Sequence, residues 1–230
     1  MQKITVIKES KNPKVLVVTP LLPGHKISKE TKVTIKRNSI PLTWISSMGR
    51  NNIPTNLQKG LEYYEGKLPP YYIMIDNDII LGRHMIDRMV GVLDKRKSDN
   101  IAFAYASFKF KGVVDKKFPA EPYAINRLLQ HNYISSNSLF RSNIVMNIGL
   151  VTDNNYVRLL DWCMLLKLLY HGYYGMPCPN ANFIAKSSES DISAGSNEDY
   201  EIKRYRVLQD FGHPIVERYG SKDSQHNPLD

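Results

Sequence analysis

Three short, almost wholly apolar runs constrain this chain most: residues 14–19 (KVLVVT), 42–46 (LTWIS) and 71–75 (YYIMI). Runs of this length, apolar on successive residues, fit strands buried on both faces, as in parallel sheets. Between them the period changes. Residues 51–64 carry Ile53, Leu57, Leu61 and Tyr64 at helical spacing, with Pro54 suited to a first turn. Ser28 is placed to cap a helix reaching about Asn38. Further along, 85–93, 123–130 and 156–170 read as helices, and 101–110, 133–140 and 173–184 as strands. The tail from Ser187 is polar, with one helical stretch near 200–211. Strands alternating with helices predict an α/β fold with a mixed, mostly parallel sheet flanked by helices. With 230 residues, 42% hydrophobic and 23% charged, the chain has ordinary globular composition and suits one domain. We place that domain at 1–195, with 196–230 as a helical tail packing on it.

In open parallel sheets ligands sit beyond the carboxyl ends of the strands. The run YYIMI leads directly into Asp76-Asn77-Asp78. Residues i and i+2 of an extended run share a face, so the two carboxylates point the same way. Two hard oxygen donors suit Mg²⁺ or Mn²⁺ and leave most of the coordination shell for a phosphate ligand. The plain alternative is a turn, since Asp and Asn favour turns. Asp161 is a second candidate. It is flanked by Leu159, Leu160, Met164, Leu165 and Leu166, and a carboxylate in such surroundings is costly unless paired or used. Either it pairs with Arg158 at the surface, or it is a general base with raised proton affinity. Arg50 and Asn56 bracket a helix start, where an arginine and free N–H groups can hold pyrophosphate; a simple surface arginine is the alternative. There is no G-x-x-x-x-G-K-[ST], G-x-G-x-x-G or G-x-S-x-G pattern, and the six histidines show no ligand spacing.

The net charge is +9. Residues 1–60 hold eleven Lys and Arg against two acids, Glu9 and Glu30, so the whole excess lies there. A positive field of this kind favours nucleotides, nucleic acid or anionic surfaces. Trp44 is the lone aromatic in that quarter, which argues against a single-strand-stacking surface. Cys163 and Cys178 are the two cysteines, too few for a disulfide framework or a cysteine zinc site, and they fit a reducing compartment. No apolar run approaches the roughly 20 residues of a membrane span. The first 13 residues lack the apolar core of a secretory signal. We therefore expect a cytoplasmic protein, in the host cytoplasm if viral.

Taken in order, these features resemble the GT-A glycosyltransferases of the large family 2 type, over about residues 14 to 190. KVLVVTP is similar to the first strand, IMIDNDI to the D-x-D motif, ISSNSLFRSNIVMNIG to the acceptor-side segment, and LLDWCMLLKLLYHGY to the E-D-W helix followed by Gly. The resemblance implies a nucleotide-binding half at about 14–80 and an acceptor half at about 100–190. It implies donor contacts from Thr19, Pro20, Ser47, Arg50, Asn56, Asp76 and Asn77. It implies Mn²⁺ or Mg²⁺ on Asp76 and Asp78, and Asp161 as catalytic base. Ser136, Asn137, Trp162 and Lys186 fall on the acceptor side; Trp162 reads equally as core, and Lys186 could face the diphosphate. The chain departs from the pattern in three places. Leu160 replaces the usual Glu. Ser46-Ser47 stands where an acid often reads the base. Lys186-Ser187-Ser188 stands where a late His often completes the metal site.

The implied activity is an inverting, metal-dependent transfer of a hexosyl group from a nucleotide sugar, a UDP-sugar first, to a hydroxyl acceptor. The charge excess points to an anionic acceptor, either a modified DNA base such as a hydroxymethylpyrimidine or a polysaccharide or lipid-linked precursor. The rival class is a non-enzymatic basic nucleic-acid-binding module. A nucleotidyltransferase would need a Gly- and Arg/Lys-rich loop after the first strand, which residues 21–26 (LLPGHK) do not resemble.

Overall fold

The structure is a computed structural model that describes residues 2–50, 52–96, 100–113, 115–156, 159–187 and 197–219. Arg158, offered above as a partner for Asp161, and Ser188 lie outside these residues. In chain order the elements are β1 (Lys3–Lys8), β2 (Val15–Leu21), α1 (Lys29–Ile35), β3 (Leu42–Met48), α2 (Ile53–Glu62), β4 (Tyr71–Met74), β5 (Ile80–Leu81) and α3 (Met85–Lys95). There follow β6 (Ile101–Gly112), β7 (Lys116–Phe118), α4 (Ile125–Gln130), β8 (Leu139–Arg141), α5 (Ser142–Ile148), α6 (Leu160–Tyr170), β9 (Tyr174–Ser187), α7 (Asn197–Val207) and α8 (His213–Tyr219).

The strands form one mixed sheet in the order β1-β3-β2-β4-β8-β6-β9-β5, with β7 folded back on β6. β3, β2 and β4 run parallel, as do β6 and β9. The other pairings are antiparallel. Both faces are covered, as the apolar runs require. Leu16, Val18, Ile45, Tyr72 and Met74 pack toward α2 and α6, and Val15, Val17, Trp44 and Ile73 pack toward α1 and α3. Successive residues of β2 thus serve opposite cores, the period of two of a strand.

Local chemistry sets the boundaries. Ser28 Oγ accepts from Thr31 N at 3.0 Å and starts α1, as its position in the sequence predicts. That helix stops at Ile35 because Asn38 donates its side-chain amide to the Thr34 and Ile35 carbonyls. The strand predicted over 133–140 shrinks to Leu139–Arg141. Residues 135–138 are Ser, Ser, Asn and Ser, and their side chains bond one another and nearby main chain instead of leaving the backbone to a ladder. The helix predicted from 156 starts at Leu160, after a 3₁₀ turn at Asn154–Tyr156. β1 is an addition to the predicted elements. It is an edge strand bearing Lys3 and Lys8 at its ends, charges that discourage further pairing. The tail helix is interrupted by a π-turn at Leu208–Gly212 before α8. Val207 and Ile215 are fully buried against the α6 side, and Tyr219 donates its hydroxyl to the Leu169 carbonyl.

The chain packs closely where β9 crosses β6. A Cβ on Gly175 would lie 2.3 Å from the ring of Phe103, itself fully buried. Gly175→Ala is expected to lower unfolding free energy by about 1–3 kcal/mol through overpacking. Urea titration checks this; an unchanged midpoint would mean the ring relocates freely.

Candidate active site

Parallel β3, β2 and β4 end along one edge, and the polar residues gather there. Ile75 N still donates to the Val18 carbonyl at 3.0 Å, so the ladder holds the chain up to Asp76. Two bonds from Asn137 then fix Asp76: its N–H donates to Asn137 Oδ1 at 3.1 Å, and Asn137 Nδ2 donates to Asp76 Oδ2 at 2.9 Å. Asn77 is pinned from the opposite side. Its carbonyl accepts from Ser28 N at 2.8 Å and Thr31 Oγ1 at 3.0 Å, and its amide donates to the Lys26 carbonyl at 3.1 Å. The Asp-Asn-Asp turn is therefore held between the start of α1 and the 135–138 loop, with Asp76 and Asp78 both partly buried.

Asp161 sits in the first turn of α6. Its carboxylate accepts from Trp162 N at 2.8 Å and from Asn132 Nδ2 at 3.0 Å. These bonds favour the charge, but loss of water outweighs them, and the nearby Asp76 carboxylate adds repulsion. Together they push Asp161 up to about 6. Asp76 also rises to about 6, first through burial and then through Asp78, against the Asn137 bond. Asp76, Asp78 and Asp161 thus share one electrostatic neighbourhood, and a cation or a proton there relieves the repulsion among them.

The other sequence candidates divide by exposure. Thr19 is fully buried, its hydroxyl accepting from Trp44 Nε1 at 3.1 Å; Pro20 is buried beside it. Ser47 is fully buried and accepts from Gln2 Nε2 at 2.8 Å. Asn56 is fully buried and donates to the carbonyls of Leu21 at 2.8 Å and Gly49 at 3.1 Å, tying α2 to the ends of β2 and β3. These four form the wall behind the edge. Arg50 is exposed just past β3. Lys186 is exposed and 3.4 Å from Glu30. Ser136 lines a cleft that also contains Asp161. Trp162 belongs to the core: it is fully buried and its indole N–H donates to the Leu128 carbonyl at 2.7 Å, so it offers no acceptor platform. Asn132, which holds Asp161, escaped the sequence reading, as did the role of Asn137 on Asp76. The Asn/Ser density of 132–138 was their one signal.

Among the described residues no group of three or more His, Cys, Asp or Glu is arranged to hold a metal ion. Two hard carboxylates on one turn still suit Mg²⁺ or Mn²⁺, provided a phosphate ligand and water complete the shell.

No protein family and no curated protein matches the sequence. Solved structures do. The chain superposes on S. aureus TarS residues 1–349 in complex with UDP-GlcNAc with a TM-score of 0.65 at 12% identity, covering 92% of this chain and 73% of that one. The complex of the same fragment with UDP gives 0.63 at 11% identity, with the same coverage of both chains. Against another TarS structure the TM-score is 0.59 at 12% identity, over 90% of this chain. The fold is GT-A-like. The chain spans 44% of that TarS chain and 65% of a further TarS 1–349 structure.

The raised carboxyls have a consequence for stability. An acid with a higher pKa in the folded state binds its proton more tightly folded than unfolded, so its contribution falls as pH rises from the ordinary carboxylate range through about 6. Asp161→Asn removes one such charge. Its melting temperature relative to wild type is expected to rise between pH 4.5 and pH 7.5. A difference that stays flat with pH would show that Asp161 ionises without penalty.

Proposed function

We propose that the chain is a glycosyltransferase that moves a hexosyl group from a UDP-sugar to an acceptor hydroxyl with inversion. The observation that carries this reading is the placing of Asp76, Asp78 and Asp161 at one edge of a GT-A-like sheet, with Asp161 electrostatically coupled to Asp76. The TarS structures of the same fold hold UDP and UDP-GlcNAc, which supports the donor class.

On this reading the acceptor oxygen attacks the anomeric carbon from the face opposite the leaving group. The bond from that carbon to the diphosphate breaks, and its electron pair departs with UDP. The hydroxyl proton passes to Asp161. Burial suits Asp161 to the task, because a base near pKa 6 is ionised at neutral pH yet holds a proton better than an ordinary carboxylate. Asn132 fixes the direction of its carboxylate. Asp78, with Asp76 beside it, would hold Mn²⁺ or Mg²⁺. Such an ion, when bound, neutralises charge on the departing diphosphate. Lys26 and Lys29 add exposed positive charge beside the same turn, and on this reading Arg50, exposed just past β3, adds charge toward the leaving diphosphate. The basic excess of the first 60 residues thus has an anionic partner in the donor itself. Elsewhere it is dispersed: Lys14 pairs with Asp94 and Lys59 with Glu62. That dispersal favours the transferase over a basic nucleic-acid-binding module.

Asp161→Asn is expected to cut turnover by about 10²–10⁴ while retaining donor binding. Wild-type turnover is expected to rise with pH through about 6 as Asp161 ionises. Asp78→Asn is expected to abolish the Mn²⁺-dependent thermal stabilisation by UDP-sugars. Full turnover in Asp161→Asn would remove its role as base, and stabilisation unchanged in Asp78→Asn would remove the metal assignment.

A further inference from the structure

Asp161 opens onto a cleft whose walls do not resemble a carbohydrate site. The cleft lies between α2, the sheet and α6; it holds a cavity of about 80 Å³ and opens partly to solvent. Leu57, Met74, Phe140, Leu160 and Met164 line it, and the partly exposed Val151 stands at its lip. Side chains with polar atoms along it are Ser135, Ser136, Asp161 and the buried Tyr72. The segment bearing Val151 is fastened to α2, because Asn52 caps that helix through Thr55 N at 2.7 Å and donates to the Thr152 carbonyl at 2.8 Å. The cleft is therefore built into the fold at the junction of two helix starts.

Its chemistry selects its occupant. A polyol or sugar seated there would press hydroxyls against leucine, methionine and phenylalanine, stripping their water with no partner in return. An alkyl or aryl group loses nothing polar and removes apolar wall from water. Leu160 sharpens the contrast, as it sits next to Asp161 and lines the same cleft.

We propose that this cleft is the acceptor site and that the acceptor is an apolar alcohol, its hydroxyl at Asp161 and its alkyl or aryl body against Leu160, Met164 and Phe140. The proposal rests on the glycosyltransferase reading for its reaction: the alcohol oxygen bonds to the anomeric carbon, UDP leaves with the electron pair, and Asp161 takes the proton. Ser135 and Ser136 stand at the polar end to orient the hydroxyl. Leu160 is then a specificity residue, setting the class of alcohol accepted.

Saturation-transfer NMR on the whole chain with benzyl alcohol and glycerol tests the cleft without a donor. Benzyl alcohol is expected to bind at least tenfold more tightly than glycerol. Val151→Trp, which fills the lip, is expected to weaken benzyl alcohol at least tenfold; Leu150→Trp on the same lip serves if that variant does not fold. Equal binding of the two alcohols, or benzyl alcohol binding unchanged in a folded lip variant, overturns the proposal. With UDP-GlcNAc as donor probe, the benzyl glycoside is expected to form at least tenfold faster than the glycerol glycoside, and the reverse order also overturns it. Thermal stabilisation by a UDP-sugar panel reads the donor separately. Benzyl alcohol bound in the cleft with no stabilisation by any UDP-sugar overturns the transferase reading while upholding the site for an apolar alcohol.

Discussion

The site depends on Asn137. Its side-chain amide accepts a hydrogen bond from the Asp76 N–H and donates one to the Asp76 carboxylate, so one residue fixes both the main chain and the charge at the point where β4 ends. Asn137 is itself almost fully buried and anchored by Ser135. Without such a partner, a carboxylate leaving a buried strand would swing toward water. With it, the turn that follows stays pinned between the 135–138 loop and the start of α1, and Asp78 is presented beside Asp76. The loss of regular strand over 133–138 follows from the same chemistry, since side chains that bond locally and hold Asp76 take the backbone out of the ladder.

Three carboxylates in one neighbourhood oppose folding. Burial and mutual repulsion hold Asp76 and Asp161 near pKa 6, which means that each carries a cost when ionised at neutral pH. A fold that keeps such groups stores free energy at the place where a proton or a cation can release it. That is the arrangement a general base and a diphosphate-bound cation require. Arg50, Lys26, Lys29 and Lys186 are exposed, and Lys186 lies 3.4 Å from Glu30. The two sides of Asp161 differ in character: acids and cations border the turn, while leucine, methionine and phenylalanine wall the cleft beyond. On the proposed reading, this polarity gradient would separate a charged donor from an apolar acceptor across one carboxylate.

Much of the framework was legible in the sequence because it rests on local periodicity. The runs KVLVVT, LTWIS and YYIMI became β2, β3 and β4 because residues apolar on both faces have no stable place except inside a covered sheet. Ser28 was readable as a cap, and α2 and α3 follow from their amphipathic spacing. The edge strand β1 was not readable, since its mixed lysine and β-branched pattern becomes a strand only by pairing with β3. Trp162 could be read as core or as an acceptor-side residue until its indole found the Leu128 carbonyl.

By itself, the sequence determined which segments are buried strands, that two acids follow the strand bearing YYIMI, and that Asp161 lies in apolar company, because these properties depend on neighbours along the chain. Only the tertiary structure decided that Asn137, 61 residues from Asp76, holds it, that Asn132 orients Asp161, and that Thr19, Ser47 and Asn56 form wall behind the edge. It also decided that residues of α2, β4, β8 and α6 enclose one apolar cleft at the carboxylate. Contacts between distant segments arise from the packing of helices on a sheet, and the period of a single segment carries no record of which partner it will meet.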